Sequence, residues 1–170
     1  MNLTNLTNIF SEQQLNKMNW GEALGLWDIT RFKVIGLTLI ESYLAQAKDI
    51  ELKNSINSGV EMLIIPHIEK LQKFMHKEGI EVPSVPQRKN LDIIGKQIEP
   101  NTIIQDDEIA NSLREVYRLG LNLDMRALTS SIRDDVRNLI WNILTDDYKG
   151  FDAMIKLHRK KNWLSPPPTI

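Results

Sequence analysis

Apolar residues recur at spacings of three and four along most of the chain, and this pattern predicts four long helices. The clearest one begins at Asp134, where two carboxylates complement the amino end of a helix dipole, and basic residues up to Lys161 complement the other end. Prolines at 166–168 lack backbone donors, so this helix ends before them. Its apolar stripe comprises Val136, Leu139, Ile140, Ile143, Leu144, Phe151, Met154, Ile155 and Leu157.

The same spacing predicts the second and third helices over residues 51–78 and 106–132. Asp49 is placed to cap the second helix, and Gly79 is the expected stop signal beyond it. Pro66 falls inside the second helix and cannot donate to the carbonyl four residues earlier, so a kink is expected there.

The first helix, predicted over residues 20–48, carries apolar residues almost all around its cylinder. A helix packed on one side does not need this distribution, so a second buried face is expected. A homodimer that buries Trp20, Trp27 or their neighbours is predicted, and coverage by the N-terminal segment is the alternative. The apolar set is Leu24, Leu26, Trp27, Ile29, Phe32, Val34, Ile35, Leu37, Leu39, Ile40, Tyr43 and Leu44.

A long connection over residues 80–105 joins helices two and three, and it is long enough to travel the length of a bundle. The predicted fold class is therefore all-α: an up-down antiparallel four-helix bundle with one long crossover between helices two and three. Residues 1–18 form an N-terminal segment with a short helix opened by a capping box at Ser11. Residues 19–162 form the bundle, and residues 163–170 form a proline-rich tail.

The composition of the chain excludes several kinds of partner and of functional site. The 170 residues suit one domain, and the formal net charge of -1 makes neither nucleic acid nor an anionic membrane an expected partner. The absence of cysteine excludes disulfides, thiolate catalysis and cysteine-ligated metals. The first residues lack the features of a signal peptide, and no apolar run is long enough to span a bilayer.

A scattered set of positions covers nearly the whole chain: 26–28, 43–53, 78–80 with Pro83, 120–122, 133–137 and the closing prolines. Together they resemble a family of ferritin-like four-helix-bundle proteins of unknown function from spore-forming bacteria, often labelled as spore coat proteins. Residues 92–105 depart from the aromatic, Asp-containing loop of that family. The resemblance implies a role connected with sporulation or the spore coat. With no signal peptide or transmembrane segment expected, the predicted location is cytoplasmic or spore-associated.

A ferritin-like fold raises the question of a dinuclear metal site. Such a site needs an inward-facing Glu from each of two helices and a Glu-x-x-His motif from each of the other two. The residues three positions before the three histidines are Ile64, Lys73 and Ile155, so the motif does not occur. We therefore expect no metal, no cofactor and no catalytic residue.

Six polar residues on or beside the apolar stripes form the predicted polar core or pocket: Arg31, Glu41, His67, Tyr117, Arg137 and Asp147. They form either a hydrogen-bonded network that fixes helix register or a pocket for an acidic or polar ligand, with Arg31, His67 and Arg137 as donors. His67 is expected to be buried without metal and held by Glu41 or Asp147.

The favoured function is non-enzymatic: a structural or protein-interaction component that forms homodimers and contacts other coat or structural proteins. The alternatives are a small-ligand-binding module with a polar pocket inside the bundle and, less favoured, a metal-dependent oxidoreductase with a degenerate site.

Overall fold

A computed structural model describes residues 17–88 and 104–164, and these residues form a four-helix bundle. The first helix, α1, spans Trp20–Gln46. The second is a continuous rod of α2 (Ile50–Gly59), a π-helical turn (Val60–Ile64) and α3 (Ile65–Lys77). The third and fourth are α4 (Asp106–Ser130) and α5 (Asp134–Lys161).

The predicted all-α class is confirmed, and each predicted helix corresponds to a helical segment whose ends lie within two residues of the prediction. The short helix predicted at Ser11, the central part of the crossover and the three closing prolines lie outside the described residues.

Contacts at the helix ends fix the directions of the four helices. The Lys160 ammonium near the end of α5 lies 2.5 Å from the Glu51 carboxylate at the start of α2, so these two helices are antiparallel. Gln46 at the end of α1 accepts a hydrogen bond from the backbone N–H of Ile104 before α4, so α1 and α4 are antiparallel as well. The second and third helices consequently run in the same sense, as one long crossover predicts.

Local signals explain where the helices begin and end. Asn19 and Glu22 form a reciprocal capping box at the start of α1, and Asp49 accepts a hydrogen bond from the backbone N–H of Leu52 to cap α2. Gly79, with φ +72°, follows the end of α3 in a conformation that glycine adopts without strain.

Pro66 is accommodated by the π-helical turn that immediately precedes it. In that turn the backbone N–H of Ile65 donates to the carbonyl of Val60, five residues earlier, in place of the usual four. The extra residue in the π-helical turn also changes which residues of α3 face the core. The three- and four-residue spacing predicts a buried stripe of Ile56, Val60, Leu63, His67, Leu71 and Phe74 on this helix. That prediction is only partly right, since Leu63 and Phe74 are half-buried while Ile68 and Met75 are buried.

The core divides into two apolar layers along the bundle axis. One layer surrounds the α1–α2 turn and the start of α4, and the other surrounds the start of α1 and the α4–α5 turn. The first is built on Val34, Leu37, Ile40, Leu52, Ile56, Val60, Ile68, Ile109, Leu113 and Met154; the second on Leu26, Ile29, Leu71, Met75, Ala127, Val136, Ile140 and Ile143.

Candidate functional site

Between the two apolar layers lies a layer of buried, ionisable side chains to which all four helices contribute. We call these residues the polar layer: Lys33 of α1, His67 of α3, Asp124 of α4 and Asp147 of α5. Their relative exposures are 7%, 1%, 1% and 5%. Burying ionisable groups is costly unless they are paired, so their mutual geometry decides what the layer can do.

An ion pair joins the first and fourth helices at the centre of this layer. Lys33 Nζ donates to Asp147 Oδ2 at 2.5 Å. Burial alone would raise the pKa of Asp147, but the charge of Lys33 and the contacts with His67 and Lys33 outweigh it and lower that pKa. Asp147 is therefore held as a carboxylate.

His67 extends the pair to the second helix. Its Nδ1 lies 3.4 Å from Asp147 Oδ1, and its Nε2 lies 3.5 Å from Asp146 Oδ2. Both distances suit an ion pair, although Nδ1 makes no well-aligned hydrogen bond with any described residue. The ring can donate to both carboxylates only when it carries both protons. Asp146 also accepts from Lys149 at 2.8 Å.

Asp124 is the acidic side chain of the layer that lacks a cation of its own. Burial raises the pKa of Asp124 to about 7; Lys33 opposes the rise, while the charge of Asp147 and a hydrogen bond with it add to the rise. Among the described residues, none donates a hydrogen bond to Asp124 Oδ2. As a carboxylic acid, Asp124 would have a hydrogen to donate to Asp147.

A small cavity of about 50 Å³ lies beside the polar layer. Lys33, Tyr117 and Asp147 face it, and burial together with the charge of Asp147 raises the pKa of the Tyr117 phenol to about 12. Ligand pockets usually measure about 300–1,000 Å³, so this cavity is too small for a drug-sized organic ligand. The remaining lining is mostly apolar: Phe32, Gly36, Ile40, Ser55, Ile56, Gly59, Ile64, Leu113, Val116, Gly120 and Met154.

Three of the six predicted polar residues come together here: His67, Tyr117 and Asp147. The other three do not. The Arg31 side chain is 52% exposed and stacks over the Trp27 ring, 5.4 Å from its centroid. Arg137 is at the surface and bonds Asp134, so neither arginine is a donor inside the bundle.

Glu41 is buried, as its position on the stripe predicts, but it is not a partner of His67. It forms an ion pair with Arg88, from the segment that follows α3, and Arg88 also lies 3.2 Å from Glu61. The prediction that Glu41 holds His67 is therefore wrong, and Asp147 is the correct one of the two candidates.

Sequence reasoning missed Lys33, Asp124 and Asp146. A usable signal was present for Asp124, which lies three residues before Ala127 and so falls on the core-facing stripe of α4. Lys33 lies four residues after Ile29 and four before Leu37, but apolar residues almost surround α1, so this spacing did not identify Lys33 as inward-facing.

The basic last turn of α5 is engaged within the bundle. Lys161 Nζ lies 2.6 Å from Asp49 and 2.9 Å from Glu51, which ties the end of α5 to the start of α2. In residues 17–88 and 104–164, no three His, Asp or Glu side chains are disposed to hold a metal ion. None of the helices in these ranges is both long and apolar enough to cross a membrane.

The fold and this layer define a four-helix bundle with an internally paired polar centre. The chain belongs to the family described as "Protein of unknown function (DUF3231)", whose model matches residues 5–170. No curated protein matches the chain.

Two crystal structures are similar to the chain in fold. One is described as a "putative spore coat protein" from Bacillus halodurans C-125; it is 22% identical, has a TM-score of 0.84, and the match covers 94% of this chain and 99% of that one. The other is a conserved hypothetical protein from Mycobacterium tuberculosis, 10% identical with a TM-score of 0.64, and the match covers 83% of this chain and 99% of that one. At these identities the likeness shows the fold alone.

Proposed function

We propose that this chain is a non-enzymatic structural or protein-interaction component, connected with sporulation or the spore coat, that works as a homodimer through the outer face of α1. The spore-coat name of the Bacillus halodurans protein and the family resemblance support the cellular context. The single crossover supports the ferritin-like classification that the resemblance implies.

The observation that carries the proposal is an exposed apolar stripe along α1. Trp20, Leu24, Ile35 and Leu39 are 93%, 60%, 58% and 41% exposed. At 3.6 residues per turn these positions fall within about one third of the helix circumference, so they lie on one face of α1, as two apolar pairs separated by Asp28 and Arg31. Large exposed apolar patches usually mark interaction sites.

The surroundings of the stripe support a protein partner. Arg31 lies over Trp27 on the same face, and Arg and Trp are residues that interfaces favour. Beside them a groove of about 240 Å³ runs between α1 and α4, with Phe32, Leu39 and Leu123 among its lining residues. The stripe and the groove lie side by side on the same face of the bundle. Two copies related by a two-fold axis can therefore each place the stripe against the other's groove.

The interior supports the same assignment. The Lys33 and Asp147 charges are paired with each other, and the adjoining cavity is small, so neither is available to an organic ligand. This arrangement favours a structural role for the polar layer, in which the buried ion pair fixes the register of the helices. The small-ligand alternative needs a larger opening beside Tyr117.

Cysteine cross-linking tests the dimer, because the sequence has no native cysteine. Single variants Leu24→Cys, Ile35→Cys and Leu39→Cys sample the stripe, and Met62→Cys, at a residue that is 73% exposed on the π-helical turn, is the matched control. A disulfide requires Cα atoms within about 7 Å, so positions near the two-fold axis should form covalent dimers on mild oxidation. Equal cross-linking at Met62, or none on α1, would contradict the proposed interface.

A further inference from the structure

The two acidic residues of the polar layer face a single lysine. Asp147 Oδ2 accepts from Lys33 at 2.5 Å and lies 3.9 Å from the position that a β-carbon on Gly120 would occupy. Asp124 is one turn beyond Gly120 on the same face of α4, so its carboxyl group lies on the side of α4 that faces Asp147, whose charge acts on it.

Among the described residues, Asp147 forms ion pairs with Lys33 and His67 at this point, whereas Asp124 forms none. Lys33 of α1 supplies one positive charge. His67 of α3 is already placed between Asp146 and Asp147 of α5, and on α4 the nearby Tyr117 is a neutral phenol. Two carboxylates that share a buried site cannot both ionise freely, so one of them retains a proton.

We propose that Asp124 and Asp147 hold one proton between them in the closed bundle, and that separating α4 from α5 at this level releases it. In the closed state the protonated Asp124 donates a hydrogen bond to the Asp147 carboxylate, which gives Asp124 Oδ2 its missing partner. In the opened state water solvates both carboxylates, and Asp124 loses the proton. Opening is thus coupled to proton release.

The coupling has a definite sign. Asp124 has an ordinary pKa of 3.8 when solvated and a pKa raised to about 7 in the bundle, so between these values the closed state binds one more proton than the opened state. Raising the pH through this range therefore favours opening, and the effect levels off above about pH 7.

Carbon-13 NMR of the aspartate carboxyl groups in the wild-type protein tests proton sharing directly. The Asp124 carboxyl carbon should titrate near pH 7, in step with a smaller change at Asp147. Titration of Asp124 near its ordinary 3.8 would overturn the proposal.

Hydrogen exchange tests the coupling to opening. After correction for intrinsic exchange rates, amides of α4 and α5 beside Asp124 should exchange at least about tenfold faster at pH 7 than at pH 5. Asp124→Asn keeps the size and a donor for Asp147 and should abolish the difference, whereas Asp152→Asn, at a half-exposed residue on α5, should retain it. A pH dependence that persists in Asp124→Asn would assign the effect to His67 or another group and overturn the proposal. If Asp124→Asn does not fold, the wild-type NMR titration still decides.

Discussion

The carboxylate of Glu22, on the first turn of α1, accepts a hydrogen bond at 2.7 Å from the backbone N–H of Arg133, in the turn between α4 and α5. The same carboxylate accepts from the N–H of Ile132 at 2.8 Å. The opposite end of the bundle repeats the arrangement. Asp106, at the start of α4, accepts from the N–H groups of Lys48 and Asp49 at 2.7 and 3.0 Å in the turn between α1 and α2.

The two arrangements occupy corresponding positions in the α1–α2 and α4–α5 hairpins. The number of residues from Glu22 to Asp106 equals the number from Asp49 to Arg133. Each hairpin thus supplies one carboxylate that accepts hydrogen bonds from the turn of the other hairpin. Turn amides left without acceptors would need water, so these carboxylates close the ends of the bundle.

Replacing Glu22 should be more damaging than replacing Asp106. Glu22 is buried, so Glu22→Ala leaves the amides of Ile132 and Arg133 without an acceptor and should lower the free energy of unfolding by about 3 kcal/mol. Asp106 is half-buried, water can replace it, and Asp106→Ala should cost about 1 kcal/mol. Urea unfolding measures both. Equal losses would show that burial of Glu22 adds nothing.

Stability should fall in acid through the same residue. Burial alone would raise the pKa of Glu22, but the backbone amides of Arg133, Asn19 and Ile132 outweigh it and hold that pKa below the ordinary 4.5. A lowered carboxyl pKa contributes stability above the unfolded value and loses it as the pH falls through the folded value. Urea midpoints measured from pH 5 down to pH 3 should therefore decline more steeply in the wild type than in Glu22→Gln.

The central ion pair should behave as a coupled unit. Lys33→Met leaves Asp147 buried without its lysine and should cost about 3–5 kcal/mol. The double variant Lys33→Met/Asp147→Leu removes both charges and should cost much less than the sum of the single variants. A double-mutant cycle by urea unfolding measures the coupling. Additive losses would mean that the pair contributes no mutual stabilisation.

The sequence carried enough information to predict the helices and half of the polar core. His67 and Asp147 were found because they fall on clear apolar stripes. Arg31 was misplaced because α1 is apolar nearly all around, which leaves its inward direction undefined by spacing alone. The partner of Glu41 could not be found by periodicity, because Arg88 belongs to a connection without regular structure.

The hydrogen bonds from the two turns to Glu22 and Asp106 could not be predicted from the sequence either. Glu22 and Asp106 look like ordinary first-turn acids that complement a helix dipole. Their second role depends on the tertiary pairing of hairpins, which no local spacing encodes.

Close packing of α1 against α4 depends on Gly25. A β-carbon there would lie 2.9 Å from Ala127 Cβ, closer than atoms normally approach, whereas a β-carbon on Gly36 would meet nothing within 4 Å. Gly36→Ala gains helix propensity without a clash, so Gly25→Ala should be less stable than Gly36→Ala by about 2 kcal/mol. Thermal and urea unfolding at matched protein concentration make the comparison. Similar stabilities would mean that α1 and α4 separate readily.

The most direct test of the proposed function is the molar mass in solution, measured by light scattering at micromolar concentration. Wild-type protein should have twice the mass of one chain. Ile35→Asp places a charge on the α1 stripe and should give the mass of a single folded chain, while Met62→Asp, at an exposed residue away from the stripe, should remain a dimer. A wild-type mass of one chain, or equal dissociation by both variants, would contradict the account.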